Sequence, residues 1–327
     1  MAGSQSKTVG KPAFNYKRWI VIGVIIVLFV ICHLFTNGTF LRLENIQTIF
    51  EHSVYAALLA WGLGFIFGPG MIDMSLGANM VFSANIGAFV ATEFGLGYPG
   101  LIIVTIVCCV LLEHVTMRVG LEFKLPSWIA GLCMAMIYEA CTAVFGQWYS
   151  KSHAAAIPRL PDELRWLGSF WGGVALVLVG VVIAYFLFNR TFIGINVRAL
   201  GDNEQVAAAM GINKKKAVYL ASAIGAVFCA FAVLRQISYS AQLNYNTGLG
   251  SIQTIFLGLA TFLLAAAFNF VAPMPITILI FSFVMQALFT FLTLKGVPTG
   301  TGQNVVLGAV VILCGILANR GNKGVVK

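Results

Sequence analysis

The chain has 327 residues, of which 59% are hydrophobic and only 9% are charged, and its formal net charge is +9. A soluble domain carries roughly 25% charged residues, so these few charges cannot cover a soluble surface. The composition excludes a soluble enzyme, a secreted disulfide scaffold and a disordered chain. It indicates an all-α integral membrane protein, in which the positive charge reports orientation in the bilayer and not a nucleic-acid partner.

Apolar runs of about 20 residues, the length needed to cross a bilayer, predict about ten transmembrane helices. They lie at 19–36, 46–67, 76–94, 98–117, 126–147, 168–188, 216–236, 251–269, 273–294 and 303–319. The third run is the weakest, because Asn79, Asn85 and Glu93 interrupt it. We expect a tail at 1–18, a single transmembrane domain at 19–319 and a second tail at 320–327.

An even number of spans places both termini on one side of the membrane. If that side is the cytoplasm, 14 of the 20 Lys and Arg residues are cytoplasmic, which agrees with the positive-inside rule. Five helices in each half would form an inverted repeat if the halves repeat. The best internal match, 75–78 against 248–251, is weak.

The motifs of covalent chemistry are absent from the sequence. It has no Walker A, H-E-x-x-H or G-x-S-x-G pattern, and its four histidines are scattered. We therefore expect no catalytic residue, no bound cofactor and no metal site on this chain. The connection 149–166 on the other side of the membrane contains Pro158 and Pro161 and could form a short amphipathic helix.

The connection at 189–215 is the largest segment on the predicted cytoplasmic side. Residues 201–204, Gly-Asp-Asn-Glu, are typical of a helix start, with Asp or Asn as the cap and an acid in the first turn. Residues 206–210 predict a short alanine-rich helix, which Gly211 ends. Such a helix suits docking into a groove on a cytoplasmic partner, and a connector at the lipid surface is the alternative.

Two carboxylates fall at membrane depth, where ionisable groups are expensive and often functional. Asp73 follows a Gly-Pro-Gly break at 68–70; it could cap the helix that starts near Ser75, line a pathway, or do both. Glu139 lies near the middle of the fifth span and either lines a pathway or pairs internally with Arg235 or His114.

Other polar residues have simpler interpretations. Glu113, near the predicted inner end of the fourth span, is expected at the headgroup level. Asn79, Asn85 and Gln286 are neutral hydrogen-bonding groups on apolar helices. They either join helices or contribute to the path of a polyhydroxylated solute.

Four segments together resemble one family. Residues 191–212 resemble the coupling loop of bacterial ATP-binding-cassette importer permeases of the ribose/galactose type, which are related to the branched-chain amino-acid permeases. Residues 70–77 look like the family's Gly-Ile-Asp-Leu-Ser-Val-Gly segment, 125–129 like the start of its fifth span, and 303–308 like its last span. One departure stands out, because only Gly258 and Thr261 match the family's glycine-rich segment within 258–269.

The resemblance implies a permease subunit that imports a monosaccharide across the bacterial cytoplasmic membrane by alternating access. Separate ATPase subunits would bind ATP and Mg²⁺, an extracytoplasmic solute-binding protein would deliver the solute, and a second permease subunit, identical or homologous, would complete the path. The ATPase contacts would involve Gly201, Asn203, Glu204, Ala207, Ala208, Gly211 and Ile212. Residues that could line the path are Asp73, Ser75, Asn79, Asn85, Glu139 and Gln286.

Other functions remain open at this point. The solute could be a nucleoside or another small polar molecule. A self-sufficient transporter driven by protons or sodium would use Asp73 and Glu139 as coupling acids. A membrane anchor or assembly subunit would need neither these acids nor the broken helix.

Overall fold

The structure is a computed structural model that describes residues 16–298 and 300–319. Most of both predicted tails, 1–15 and 320–327, lies outside the described residues. Within the described ranges the chain forms twelve α-helices, three short 3-10 turns and no strand. The helices are α1 (Tyr16–Phe35), α2 (Leu43–Phe67), α3 (Leu76–Glu93), α4 (Gly97–Glu122), α5 (Ser127–Tyr149), α6 (Phe170–Arg190), α7 (Phe192–Asp202), α8 (Glu204–Ala209), α9 (Lys214–Ser240), α10 (Gln253–Ala267), α11 (Met274–Leu294) and α12 (Thr301–Asn319).

Each predicted span coincides with one of these helices, and the ends differ by at most five residues. Eight helices in the described part of the chain are long and apolar enough to cross a membrane. These eight do not include α3 and α12, so the count of ten spans and the side of the termini remain predictions. In α3 the side chains of Asn79, Ser83 and Asn85 are completely buried, because neighbouring helices rather than lipid surround this helix.

The centre of the bundle is the contact between α2 and α9. A Cβ atom on Gly62 would lie 2.6 Å from the Cys229 Sγ and 2.8 Å from the Gly225 carbonyl oxygen, so the two backbones meet directly. Such small-residue contacts hold membrane helices together, because lipid supplies no hydrophobic drive for association. Trp61 and Phe228 pack beside this contact, with their ring centroids 6.1 Å apart.

Two non-helical segments, called interruptions below, separate helices that pack at the centre of the bundle. Residues 68–75 separate α2 from α3, and residues 241–249 leave the helix between α9 and a 3-10 turn at Gly250–Ile252. The second interruption begins and ends with left-handed residues, Ala241 (φ 65°) and Leu249 (φ 67°). The segments that follow the two interruptions meet, because a Cβ atom on Gly77 at the start of α3 would lie 2.1 Å from the Ser251 carbonyl oxygen in the 3-10 turn. The two segments of the weak internal match are therefore in contact.

The connection from α5 to α6 differs from its prediction as a short amphipathic helix. It contains only two 3-10 turns, Asp162–Leu164 and Trp166–Gly168. Proline lacks the N–H that a helix interior needs, and Pro158 and Pro161 fall in the middle of this connection.

Candidate functional site

The loop element α7 is held against the end of α2 by backbone contact. A Cβ atom on Gly201 would lie 2.2 Å from the Gly68 carbonyl oxygen, and a Cβ atom on Gly68 would lie 2.4 Å from the Val197 side chain. Only glycine at both positions permits this approach. The connection at 189–215 is therefore fixed to the first helix interruption.

Both ends of α8 are capped by the residues that the sequence indicates. The Asn203 Oδ1 accepts hydrogen bonds from the N–H groups of Gln205 (3.0 Å) and Val206 (3.1 Å). At the other end Gly211 has a φ of 84°. The Ile212 N–H donates to the Ala207 carbonyl and the Gly211 N–H to the Ala208 carbonyl, both at 3.0 Å, which is the Schellman arrangement. A helix of six residues is thus stabilised by its caps.

The residues of α8 and its C-terminal cap differ in what they contact. Ala207 is buried in a small cluster with Leu200 and Ala217, so this residue anchors the helix. Val206 within the helix and Met210 at its cap present apolar side chains to the surface, 53% and 75% exposed. These two side chains are available to a partner.

Charged residues tie α8 to its neighbour in the chain. The Lys214 Nζ lies 2.7 Å from the Glu204 Oε2. Lys215 makes a second ion pair, with Glu122 at the end of α4 (3.1 Å). Exposed pairs of this kind contribute little stability, so α8 depends mainly on its caps and on Ala207.

Asp73 caps the start of α3, as one of its sequence alternatives predicts. The Asp73 Oδ1 accepts from the Ser75 N–H (2.7 Å) and the Oδ2 from the Ser75 hydroxyl (3.0 Å). The Ser75 hydroxyl lies 3.1 Å from that of Thr116 on α4. Asp73 and Ser75 are both 0% exposed, so the second half of the broken helix starts on a fully buried polar cluster.

Sequence reasoning missed Glu113 as a member of this cluster. Its expected headgroup position is wrong, because α4 continues to Glu122 and Glu113 is 0% exposed. Its polar neighbours are Asp73 and Asn79, yet neither carboxyl oxygen has a partner in hydrogen-bond geometry among the described residues. Helical spacing could have indicated that Glu113 is buried, because it lies four residues from Cys109 and three from Thr116 on the buried face of α4.

Glu139 binds backbone and not a cation. Its Oε2 accepts from the Leu249 N–H (2.9 Å) and its Oε1 from the Ser251 N–H (2.8 Å). The predicted pairing with Arg235 or His114 is wrong. Arg235 is buried in α9 and donates to the carbonyl of Gly168.

His114 is exposed, and its ring centroid lies 4.9 Å from that of Tyr219. Glu139 instead holds the end of the non-helical segment against the middle of α5.

The neutral amides join structural elements. The Asn79 Nδ2 donates to the Cys109 carbonyl on α4 (3.1 Å), and the Asn85 Nδ2 donates to the Leu243 carbonyl (3.1 Å). Both therefore make the contacts that the helix-joining alternative predicts. Asn85 ties α3 to the interruption at 241–249.

Gln286 lies in different surroundings from the other predicted path residues. It lines a cavity of about 370 Å³ between α2, α11, α12 and the interruption at 241–249. Sequence reasoning assigned none of the other amides in this lining to the path: Gln236, Asn244, Asn246, Gln253, Gln303 and Asn304. The signal was present as an uncharged, amide-rich stretch at 242–253. Of the predicted path residues, Gln286 alone lines this cavity, Asp73, Ser75 and Asn79 lie around the buried carboxyl cluster, and Asn85 and Glu139 hold the backbone at 243–251.

Most of the chain matches a known family of permeases. The model of the family described as "Branched-chain amino acid transport system / permease component" matches residues 45–315. The chain belongs to this permease family.

Curated relatives of this permease carry sugar-transport names. It is 26% identical over 227 residues to the fructose import permease protein of Bifidobacterium longum, covering 64% of each chain. It is 23% identical to the ribose import permease protein of Escherichia coli, covering 96% of this chain and 98% of that one. The similarity to the galactose/methyl galactoside import permease protein of Treponema pallidum is 26% and covers 71% of this chain and 49% of that one. The permease thus spans less than two thirds of some of these relatives.

A solved structure has the same fold. The permease superposes on an inward-facing conformation of a metal-chelate type ABC transporter with a TM-score of 0.50 and 15% identity, covering 92% of this chain and 99% of that one. At this identity the likeness concerns the fold alone. Among the described residues of the permease, no group of three or more His, Cys, Asp and Glu side chains could hold a metal ion.

Within 258–269 only Gly258 and Thr261 match the family's glycine-rich segment, and this part of α10 packs on α2. A Cβ atom on Gly258 would lie 2.5 Å from the Leu59 side chain, so this glycine serves close packing. Thr261 is fully buried, and its hydroxyl donates to the Leu257 carbonyl one turn earlier (2.8 Å). Both retained residues thus have packing roles in α10.

Proposed function

We propose that the chain is the membrane-spanning permease subunit of an ABC importer for a monosaccharide. Two such subunits, identical or homologous, form the path, and an extracytoplasmic binding protein delivers the solute. ATP and Mg²⁺ act on separate ATPase subunits, whose closure drives alternating access. The relatives named for ribose, fructose and galactose import support a sugar as the solute, and a nucleoside is the next candidate.

The observation that carries this proposal is the construction of α8. The helix is capped at both ends, anchored through Ala207, and exposes Val206 and Met210. An isolated six-residue helix has no stability of its own. The caps therefore maintain a helix at the surface, which supports the interpretation that a partner binds it. With α8 on the cytoplasmic side of a bacterial cytoplasmic membrane, both termini are cytoplasmic and the partner is the ATPase.

The same geometry weakens the ion-coupled alternative. Both carboxyl oxygens of Glu139 are occupied by backbone N–H groups. A coupling acid has to exchange these partners for an ion during each cycle. Glu139 therefore acts as a fixed connection between α5 and the second interruption.

The test is co-purification. Tagged full-length protein is extracted from its native membrane in mild detergent, and the accompanying proteins are identified by mass spectrometry. We expect a stoichiometric ATPase subunit with the wild type and about a tenfold lower yield of it with Met210→Asp, the result of losing about 1.4 kcal/mol of binding. Leu96→Asp, a matched change at an exposed leucine outside α8 (55%), is expected to retain the ATPase.

Two results would contradict the proposal. If no ATPase accompanies the wild-type protein even after crosslinking, the chain works alone, and proton- or sodium-driven flux becomes the next measurement. If Met210→Asp retains the ATPase as well as Leu96→Asp does, α8 is a lipid-surface connector.

A further inference from the structure

The interruption at 241–249 lies at membrane depth. Its Leu243 carbonyl accepts from Asn85 in the middle of α3, and its Leu249 N–H donates to Glu139 in the middle of α5. Immediately beyond it, the Thr254 carbonyl accepts from the Tyr55 hydroxyl of α2 (3.3 Å). Helices α2 and α5 are both candidate membrane spans, so this non-helical segment runs beside their middle turns.

Several backbone N–H groups in this segment are without partners among the described residues. Among the described residues no hydrogen-bond acceptor is found for the N–H groups of residues 243–248. The side chains of Asn244 and Asn246 are exposed. Unpaired backbone and exposed carboxamides do not occur against hydrocarbon and are tolerated only where they are buried in protein or line a water-filled cavity.

The remaining walls of the cavity carry further amides among apolar side chains and His52. Gln286 from α11 and Gln303 and Asn304 from α12 face it, together with Gln236 from the end of α9. The lining contains no Asp, Glu, Lys or Arg side chain among the described residues. The cavity volume of about 370 Å³ falls within the roughly 300–1,000 Å³ of small-molecule sites.

We infer that this amide-lined cavity is the solute chamber of the permease, and that it takes an uncharged polyhydroxylated molecule and excludes amino acids. Each carboxamide offers two donors and one acceptor oxygen, and each hydroxyl of a polyol is both a donor and an acceptor. An amino acid zwitterion that bound against this lining would give up part of its hydration without gaining an opposite charge, which is costly. This inference rests on the proposed transport function and assigns its path to residues other than the Asp73 cluster.

Thiol labelling tests the chamber independently of the ATPase. Asn246→Cys and Gln303→Cys are made in a background whose seven native cysteines are alanine, and membrane vesicles are treated with sulfonatoethyl methanethiosulfonate, an anionic, water-soluble reagent. We expect both positions to react at least about tenfold faster than Val144→Cys, whose native side chain is 65% exposed on the apolar surface of α5, because this reagent requires water at the thiol. Equal rates at the three positions would overturn the chamber.

Protection identifies the solute class. Labelling of Asn246→Cys is repeated with millimolar ribose, galactose, fructose, xylose or leucine. We expect at least one sugar to slow the reaction and leucine to leave it unchanged. Protection by leucine alone would overturn the polyol assignment, and a rate unchanged by every solute would overturn the cavity as a binding site.

A second measurement covers the case in which the cysteine-free background fails to fold. In the otherwise native chain, Gln286→Leu and Gln303→Leu are reconstituted with the co-purifying ATPase and the binding protein. We expect the uptake of radiolabelled sugar per ATP hydrolysed to fall about tenfold, equivalent to about 1.4 kcal/mol. Gln147→Leu, an exposed amide on α5 outside the cavity, is the matched control.

The possible outcomes separate the two proposals. Uptake unchanged by both leucine variants would refute the chamber while leaving the importer intact. Loss of the ATPase from the wild-type preparation would refute the importer, whatever the labelling shows.

Discussion

Removal of the Glu139 side chain is expected to destabilise the protein strongly. Glu139 is 4% exposed, and its two oxygens accept from the N–H groups of Leu249 and Ser251 at 2.9 and 2.8 Å. A hydrogen bond to a charged group contributes about 1.5–3 kcal/mol, so Glu139→Ala should cost about 3–6 kcal/mol by this scale. Glu139→Gln keeps one acceptor oxygen and turns its NH₂ group toward the second N–H, so its cost should be about half as large.

The assay follows thermal unfolding in detergent through the reaction of a thiol-sensitive dye with buried cysteines. Cys109 and Cys229 are both 0% exposed and become reactive only when the bundle opens. The expected order of melting temperatures is wild type, then Glu139→Gln, then Glu139→Ala. Glu163→Ala, which removes an exposed carboxylate from a 3-10 turn, should melt like the wild type. A Glu139→Ala protein as stable as the wild type, or more stable than Glu139→Gln, would refute the reasoning.

Two further substitutions test the contacts at the start of α3. Asp73→Ala should lower the melting temperature in the same dye assay, because it leaves the buried Ser75 N–H without an acceptor at a cost of about 1–3 kcal/mol, while the Ser75 hydroxyl keeps Thr116 as a neighbour; an unchanged temperature would contradict the capping role. Gly77→Ala should reduce the yield of monodisperse protein in size-exclusion chromatography, because its Cβ would lie 2.1 Å from the Ser251 carbonyl and overpacking typically costs about 1–3 kcal/mol. Gly308→Ala, which meets no atom within 4 Å, is its control, and equal yields would contradict the close contact.

The sequence predicted the elements that depend on near neighbours in the chain. Asn203 and Gly211 could be assigned as the start and stop signals of α8, because each cap acts on groups within five residues of itself. The long apolar helices could be predicted for a similar reason, since each satisfies its own backbone hydrogen bonds. These features follow from composition and spacing without knowledge of the packing.

The partners of the buried carboxyl groups could not be predicted in this way. Whether Glu113 faces protein or headgroups depends on where α4 ends and on the rotation of its axis, and both are set by packing against α3 and α9. Glu139 finds its partners 110 and 112 residues later in the chain. The position of residues 241–249 between the helices could not be predicted, because a search for apolar runs assigns a polar stretch to an external loop.

The backbone contacts described above form a continuous rigid linkage from the surface to the interior. The Gly201 backbone of α7 lies on the carbonyl of Gly68, Asp73 fastens the start of α3 to this interruption, and Gly77 lies on the carbonyl of Ser251 beside the amide-lined cavity. Closely packed backbone has low compressibility and transmits strain. Helix α8 joins this linkage through the side chains of Ala207, Leu200 and Ala217, whereas from Gly201 inward the contacts are made mainly by backbone. A displacement of α7 is therefore expected to reach the segment beside the cavity with little loss.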